Sequence, residues 1–386
     1  MNKAVTLLAA IVLLLSCNSE EKVSKEDIIE NYAAIVYASY QDTYNQAQKL
    51  KQEIEVFINE PSDDGLQACK EAWLMAREAY GQTEAFRFYG GPIDGENGPE
   101  GQINAWPLDE AYIDYVASDN NNANIINSPE QYPEINAEFI ASMNEKGSET
   151  NVSSGYHAIE FLLWGQDLSD GAGAGQRPYT DYIPANEAHR IHAERRQTYL
   201  LETANLLLYD LNTVKQEWEP NQDNYRAEFT SNPEESLKKI FSGLGKLSKG
   251  ELAGERMFVA YDLKSKEDEH SCFSDNTHRD IVTNEKGIQN VYLGEYKMLN
   301  SDSTVNGPGV YHLLKSEDPE LAENLKETIA EGLASSKKIE APFDQQIKNP
   351  EGRKQIAATI SLFRKQGDLF AVAANKFGFK FDPEAI

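Results

Sequence analysis

The chain has 386 residues, of which 40% are hydrophobic and 26% charged, a globular composition with room for two or three domains. Its 36 Lys and Arg face 63 Asp and Glu, and the formal net charge of -27 repels phosphate backbones, so nucleic acid is a poor partner. Three cysteines are too few for a disulfide scaffold, and no pair has zinc-finger spacing.

The first residues read as an address. Lys3 precedes an apolar run from Ala4 to Leu15, too short to span a bilayer as a stable helix. Leu14-Leu15-Ser16-Cys17 resembles a bacterial lipobox, which implies cleavage before Cys17 and acylation of its sulfur. Asn18, in place of an Asp, points to outer-membrane sorting, and Glu20-Glu21 resemble the acidic export signals of surface lipoproteins. Residues 1–16 are therefore expected to be a signal peptide and 17–23 a tether. Cys69 and Cys272 could pair or stay free in an oxidising compartment.

Beyond the tether the pattern is helical. Ser24 with Asp27 makes a capping-box-like start, and Ile28, Tyr32, Ile35, Leu50, Ile54 and Phe57 keep helical spacing up to Pro61. Further helices are expected at Asp64 to Phe88, Glu134 to Glu145, Asn151 to Trp164 and Pro184 to Glu219. The second half continues with Ser236 to Asp262, Asn276 to Leu293, Pro319 to Ile339 and Pro350 to Phe377. No alternating run is long enough for a sheet. The expected fold is all-α, two packed four-helix-bundle-like domains over residues 24–225 and 226–386.

The sharpest local feature is Gly155-Tyr156-His157-Ala158-Ile159-Glu160. Positions i and i+3 share a helix face, so His157 and Glu160 point the same way and could share a cation suited to imidazole and carboxylate, such as Fe, Zn or Mn. The plainer alternative is a satisfied His beside a salt-bridged Glu. Apolar neighbours bury the segment, and a buried Glu without a partner is costly. No H-E-x-x-H occurs, and Phe161 breaks the reversed form. A second dense stretch, Glu267 to Asp280, holds His270, Cys272, Asp275 and His278. A third, Trp73 to Asp94, offers Glu84 and Asp94 as acidic groups, although its Arg77/Glu84 face reads as solvated. His189 and His192 sit among basic neighbours that disfavour a cation, and Gly171, Gly173 and Gly175 read as a flexible loop.

With these segments in view, the chain resembles the imelysin family, close to its iron-regulated protein A branch. Gly155, His157 and Glu160 match the family's G-x-H-x-x-E signature. Trp73 to Asp94, Asn104 to Asp109, Lys239 to Met257 and Glu267 to Asp280 extend the match over nearly all of the mature chain. The resemblance implies two helical bundles, a bacterial envelope location and a link to iron uptake. It also implies metal held through His157 and Glu160, with Glu84, Asp94, His270, Asp275 and His278 as further candidates for the same inter-bundle cleft.

The leading expectation is an outer-membrane lipoprotein that binds iron, another divalent metal such as zinc, or an iron-bearing small ligand, and works with an iron-transport partner protein. A metal-dependent peptidase, with Glu84 as general base, is the first alternative. A metal-free interaction protein is the second. Cys17→Ala is expected to abolish palmitate incorporation and release the chain from the membrane fraction; retained label would contradict the address.

Overall fold

The computed structural model describes residues 23–118, 124–186, 190–299 and 301–385. The expected signal peptide, Cys17 at the head of the tether and His189 lie outside the described residues. In chain order the helices are α1 (Lys25–Asn59), α2 (Asp63–Thr83), α3 (Glu100–Asn104), α4 (Glu110–Ile113), α5 (Ala137–Met143), α6 (Gly155–Trp164), α7 (Ala193–Glu217), α8 (Tyr225–Ser231) and α9 (Pro233–Lys246). They continue as α10 (Ala260–Leu263), α11 (Thr277–Leu293), α12 (Val310–Glu317), α13 (Pro319–Ser336), α14 (Phe343–Gln346) and α15 (Pro350–Lys376).

Local chemistry sets the long elements. Ser24 accepts from the Asp27 N–H, while Asp27 takes the Ser24 N–H in return, so two otherwise orphaned donors at the start of α1 are satisfied. Ile28, Tyr32, Ile35, Leu50, Ile54 and Phe57 are all buried, as their spacing requires. Pro opens α9, α13 and α15, where its missing N–H costs nothing.

α1, α2, α6 and α7 pack into one bundle. α9, α11, α13 and α15 build the other, together with the wide helical segment that follows α9. The bundles meet where α2 crosses α11. Glycines allow the close approach there: a Cβ on Gly81 would fall 2.0 Å from Thr283 Oγ1, and one on Gly287 would fall 2.3 Å from the Gln82 carbonyl oxygen.

Several stretches differ from the expectation: the helix expected to Phe88 stops at Thr83, and short helices such as α3, α4, α8 and α12 form where none was expected. Residues 247–259, read as the middle of an α-helix, form a wider π-helix. Its i→i+5 repeat aligns Glu251 with Arg256, whose Nε donates to Glu251 Oε1 at 2.8 Å. The helix expected from Pro184 begins only at Ala193, because Arg190 turns back to donate to the Ile183 carbonyl at 3.0 Å. A small antiparallel hairpin, β1 (Glu295–Lys297) with β2 (Thr304–Asn306), pairs Tyr296 with Val305; three-residue strands are too short to show an alternating pattern. Cys69 and Cys272 are free thiols.

Gly155 explains its place at the head of α6. Its φ is +79°, and a Cβ would sit 2.3 Å from the Ile103 carbonyl oxygen. Only glycine lets the helix start against α3. Gly155→Ala is expected to lower unfolding free energy by about 1–3 kcal/mol or more, read by urea denaturation; an unchanged midpoint would contradict this role.

Candidate functional site

α6 is buried along its whole length. His157 and Glu160 lie on one face, as their spacing requires, and are 2% and 0% exposed. His157 Nδ1 and Glu160 Oε2 share a hydrogen bond of 2.8 Å. The other carboxyl oxygen accepts from the Ser274 N–H at 2.9 Å and the Ser274 hydroxyl at 2.7 Å. Glu160 therefore ties α6 to the loop before α11. Burial pushes its pKa up to about 8, against the two Ser274 bonds, which act in the opposite direction. Burial, then the Arg77 guanidinium, holds the His157 imidazole well below its ordinary range, so the ring is neutral. Its Nε2 has no hydrogen-bond partner.

Around this pair runs a buried polar network with a member from nearly every element at the bundle junction. Arg77 on α2 donates to Asp280 on α11 through Nε at 3.2 Å and Nη2 at 3.1 Å. Its Nη1 donates to Asn104 Oδ1 at 2.6 Å. Trp73, Tyr80 and Tyr156 turn ring faces toward the same guanidinium, 5.2–5.7 Å away. Asp280 also accepts from His270 Nδ1 at 3.1 Å and the Ser271 hydroxyl at 2.5 Å. That fixes the His270 tautomer and leaves its Nε2 to accept from Asn104 Nδ2 at 3.5 Å. Asn104 Nδ2 lies 3.3 Å from Glu84 Oε1. Arg256, on the wide helix, donates to Glu84 Oε2 at 2.8 Å, and Arg87 reaches the same oxygen at 2.7 Å.

The electrostatics follow from these contacts. Burial alone would raise Glu84, but Arg256 and Arg87 bring it down to about 2. Burial likewise opposes ionisation of Asp280, yet Arg77 and His270 hold it well below the carboxylate range. His270 falls to about 3 through burial and the charge of Arg256.

A small cavity of about 20 Å³, room for one water-sized group, is lined by Trp106, Leu108, His157, Glu269, His270 and Cys272 among others. The His157 and His270 rings meet edge to face at 4.8 Å, and Trp106 packs against His270 at 5.1 Å. Glu269 is buried in the wall, and neither of its oxygens completes a hydrogen bond of normal geometry. Burial and the Asp344 carboxylate push it well above its usual range, with the Thr277 hydroxyl as a partial offset. A larger hollow of about 220 Å³ lies beyond the end of α6, beside Tyr115, Asp167 and Arg177. It is outside the ionisable network, and the chemistry gathers at the smaller cavity.

Of the residues singled out in the sequence, His157, Glu160, Glu84 and His270 come together here. Asp94 has other work: its carboxylate accepts from the backbone N–H groups of Phe88 and, at 2.8 Å, Gly91, closing a turn. Asp275, pushed up to about 6 mainly by burial, and His278 sit at the start of α11, where His278 Nδ1 donates to the Asp275 carbonyl at 3.1 Å. Neither hydrogen-bonds into the His157 network among the described residues. The Arg77/Glu84 face, read as solvated, is buried, with Arg77 1% exposed. Trp73 and Tyr80, four residues before and three after Arg77, put it on the apolar stripe and were the available signal. Asp280, Arg256, Asn104, Ser274 and Glu269 were not singled out.

The family model for imelysin, peptidase M75, matches residues 36–369. The chain belongs to the imelysin family. It is 24% identical over 353 residues to the iron-regulated protein A of Synechococcus elongatus, spanning 88% of this chain and 83% of that protein. Among solved structures, an iron-regulated protein A precursor from Parabacteroides distasonis aligns with TM-score 0.69 at 17% identity, over 93% of this chain and 97% of that one. An imelysin-like protein from Psychrobacter arcticum aligns with TM-score 0.66 at 14% identity, over 93% and 98%. These two share the fold.

In this imelysin, residues from the segments on which the resemblance was drawn meet at the junction: Arg77 and Glu84, Asn104 and Trp106, Glu251 and Arg256, then Glu269 to Asp280. Among the described residues, no three His, Cys, Asp or Glu side chains are arranged to hold a metal ion. A direct chelate by His157 and Glu160 would have to break their mutual bond. Glu160 also makes a pH prediction. Its folded value of about 8 exceeds the ordinary 4.5, so its contribution to stability is full below the latter and is lost as pH rises through the former. Between about pH 5 and about pH 9, wild-type stability should fall more steeply than that of Glu160→Gln in urea denaturation. Parallel curves would contradict the assigned state.

Proposed function

We propose that this imelysin is an envelope-anchored lipoprotein linked to iron uptake, which takes iron or an iron-bearing ligand at the junction of its two bundles beside His157. The observation that carries this reading is the His157 ring: one nitrogen is held by Glu160, and the other is buried at a cavity wall with no partner. An imidazole locked through one nitrogen by a carboxyl group, with the second left over, is how proteins orient a histidine toward a bound cation. Imidazole nitrogen and carboxylate oxygen suit ferrous and ferric ions. The regulated-by-iron name of the Synechococcus relative agrees with this cargo. Anchoring through Cys17 would keep the site at the envelope, where an iron-transport partner protein could collect what it holds.

On this reading His157 touches the ligand and Glu160 positions it. A hydrolytic zinc centre, by contrast, uses three protein ligands and an open position, and the peptidase alternative finds no such set among the described residues. Titration of purified protein with ferrous, ferric and zinc salts is expected to show saturable iron uptake that His157→Ala weakens by about tenfold or more. Equal uptake by both proteins would overturn the reading.

A further inference from the structure

We propose that the outer face of α9, a stripe of lysines facing Phe88 and Tyr89 across a groove, rests on the anionic phospholipid headgroups of the membrane that holds the lipid anchor. This rests on the envelope-anchored reading above and adds how the chain sits on that membrane.

The stripe runs against the charge of the molecule. Lys238, Lys239, Ser242 and Lys246 fall at helical spacing on one side of α9, and none of the four is buried. An open groove of about 440 Å³ lies between them and the turn at Phe88 and Tyr89. Its charged residues are three lysines and one acid, Glu235, in a chain whose formal net charge is -27. Glu235 reaches Lys238 at 3.3 Å, with both side chains nearly half exposed, a pair too solvated to tie the lysine down. Lys239 donates to the Tyr225 hydroxyl at 3.0 Å, and among the described residues neither it nor Lys246 is ion-paired. At physiological salt, exposed charges more than about 8 Å apart are largely screened. The local excess of positive charge, not the molecular total, therefore decides what this face meets.

The opposite wall holds aromatic rings in place. Phe88 has φ +69°, a backbone state uncommon for an aromatic residue, and the Asp94 carboxylate holds it there by accepting the Phe88 and Gly91 N–H groups. The Tyr89 hydroxyl shares a 3.0 Å bond with that of Tyr32, which ties the turn to α1. Lysines along one side and half-buried rings along the other suit a headgroup layer. Ammonium groups meet lipid phosphates, and aromatic rings favour the level of the headgroups.

Place in the fold selects a membrane over a soluble anion. Lys25, the first residue of α1, pairs with Glu234, the second residue of α9, one turn before Lys238 on the same side. The stripe therefore starts beside the head of α1. Cys17 precedes Val23 by six residues, a reach of at most about 22 Å. From Glu234 to Lys246, α9 rises about 18 Å. An acylated Cys17 would hold the head of α1, and the stripe with it, close to the headgroups.

The test uses lipidated protein purified from its native envelope and reconstituted with vesicles of phosphatidylcholine or of phosphatidylglycerol. Lysines are modified with a membrane-impermeant amine reagent and quantified one by one by mass spectrometry. Lys354 on α15, with a side chain 72% exposed, is the reference. On phosphatidylglycerol, modification of Lys238, Lys239 and Lys246 is expected to fall by about fivefold or more relative to phosphatidylcholine, with Lys354 unchanged. Salt at about 1 M should restore it. Equal modification on both vesicles, by protein that floats with them, overturns the inference and leaves the anchor standing. The same protection by inorganic phosphate without vesicles makes the groove a soluble-anion site and also overturns it. A chain without an acyl group that floats with neither vesicle overturns both readings.

Discussion

The junction depends on a reciprocal exchange of buried charge. The first bundle sends Arg77 from α2 to Asp280 on α11; the second sends Arg256 from its wide helix to Glu84, just past the end of α2. Each guanidinium and each carboxylate is 1% exposed. Ion pairs this deep gain little net stability over apolar packing, but stranding one partner costs about 3–5 kcal/mol. The pairs therefore act as a specificity device: only one docking of the two bundles satisfies all four groups. Gly81 and Gly287 supply the close contact that this docking needs, and Asn104 and His270 link one pair to the other.

That rigid setting gives the cavity its character. Along the clasp, each guanidinium meets a carboxylate, and His270 donates to Asp280 through Nδ1. At the edge, matching stops: His157 Nε2 and the Glu269 carboxyl are left over. Both line the same small cavity, and buried polar groups left unpaired around one hollow mark places where proteins bind. Glu160 belongs to the satisfied side of that line. Its bonds to Ser274 fix it to the second bundle, so the imidazole it holds is positioned by both halves of the molecule.

Much of this was legible in the amino-acid sequence. The capping box at Ser24, the stripe from Ile28 to Phe57 and the prolines opening α9, α13 and α15 are local signals, and the all-α architecture follows from them. The shared face of His157 and Glu160 follows from helical spacing alone. What stayed hidden was long-range or off-template. Arg256 meets Glu251 five residues away, a contact that an α-helical template puts on different faces. Asp280 and Arg77 are 203 positions apart, and no periodicity links them. Asp94 looked like a ligand because acidic residues at loop ends often are; it serves backbone N–H groups instead. Glu269 lay inside a stretch already seen as dense in ligand-type side chains, but isolation from partners is a property of three dimensions.

The most direct test of the junction as the binding site is anomalous diffraction at the iron edge, from crystals of the protein loaded with iron. The account expects a single strong peak between the bundles, within bonding distance of His157 Nε2. Iron found only on surface carboxylates, with that cavity bare, would contradict it.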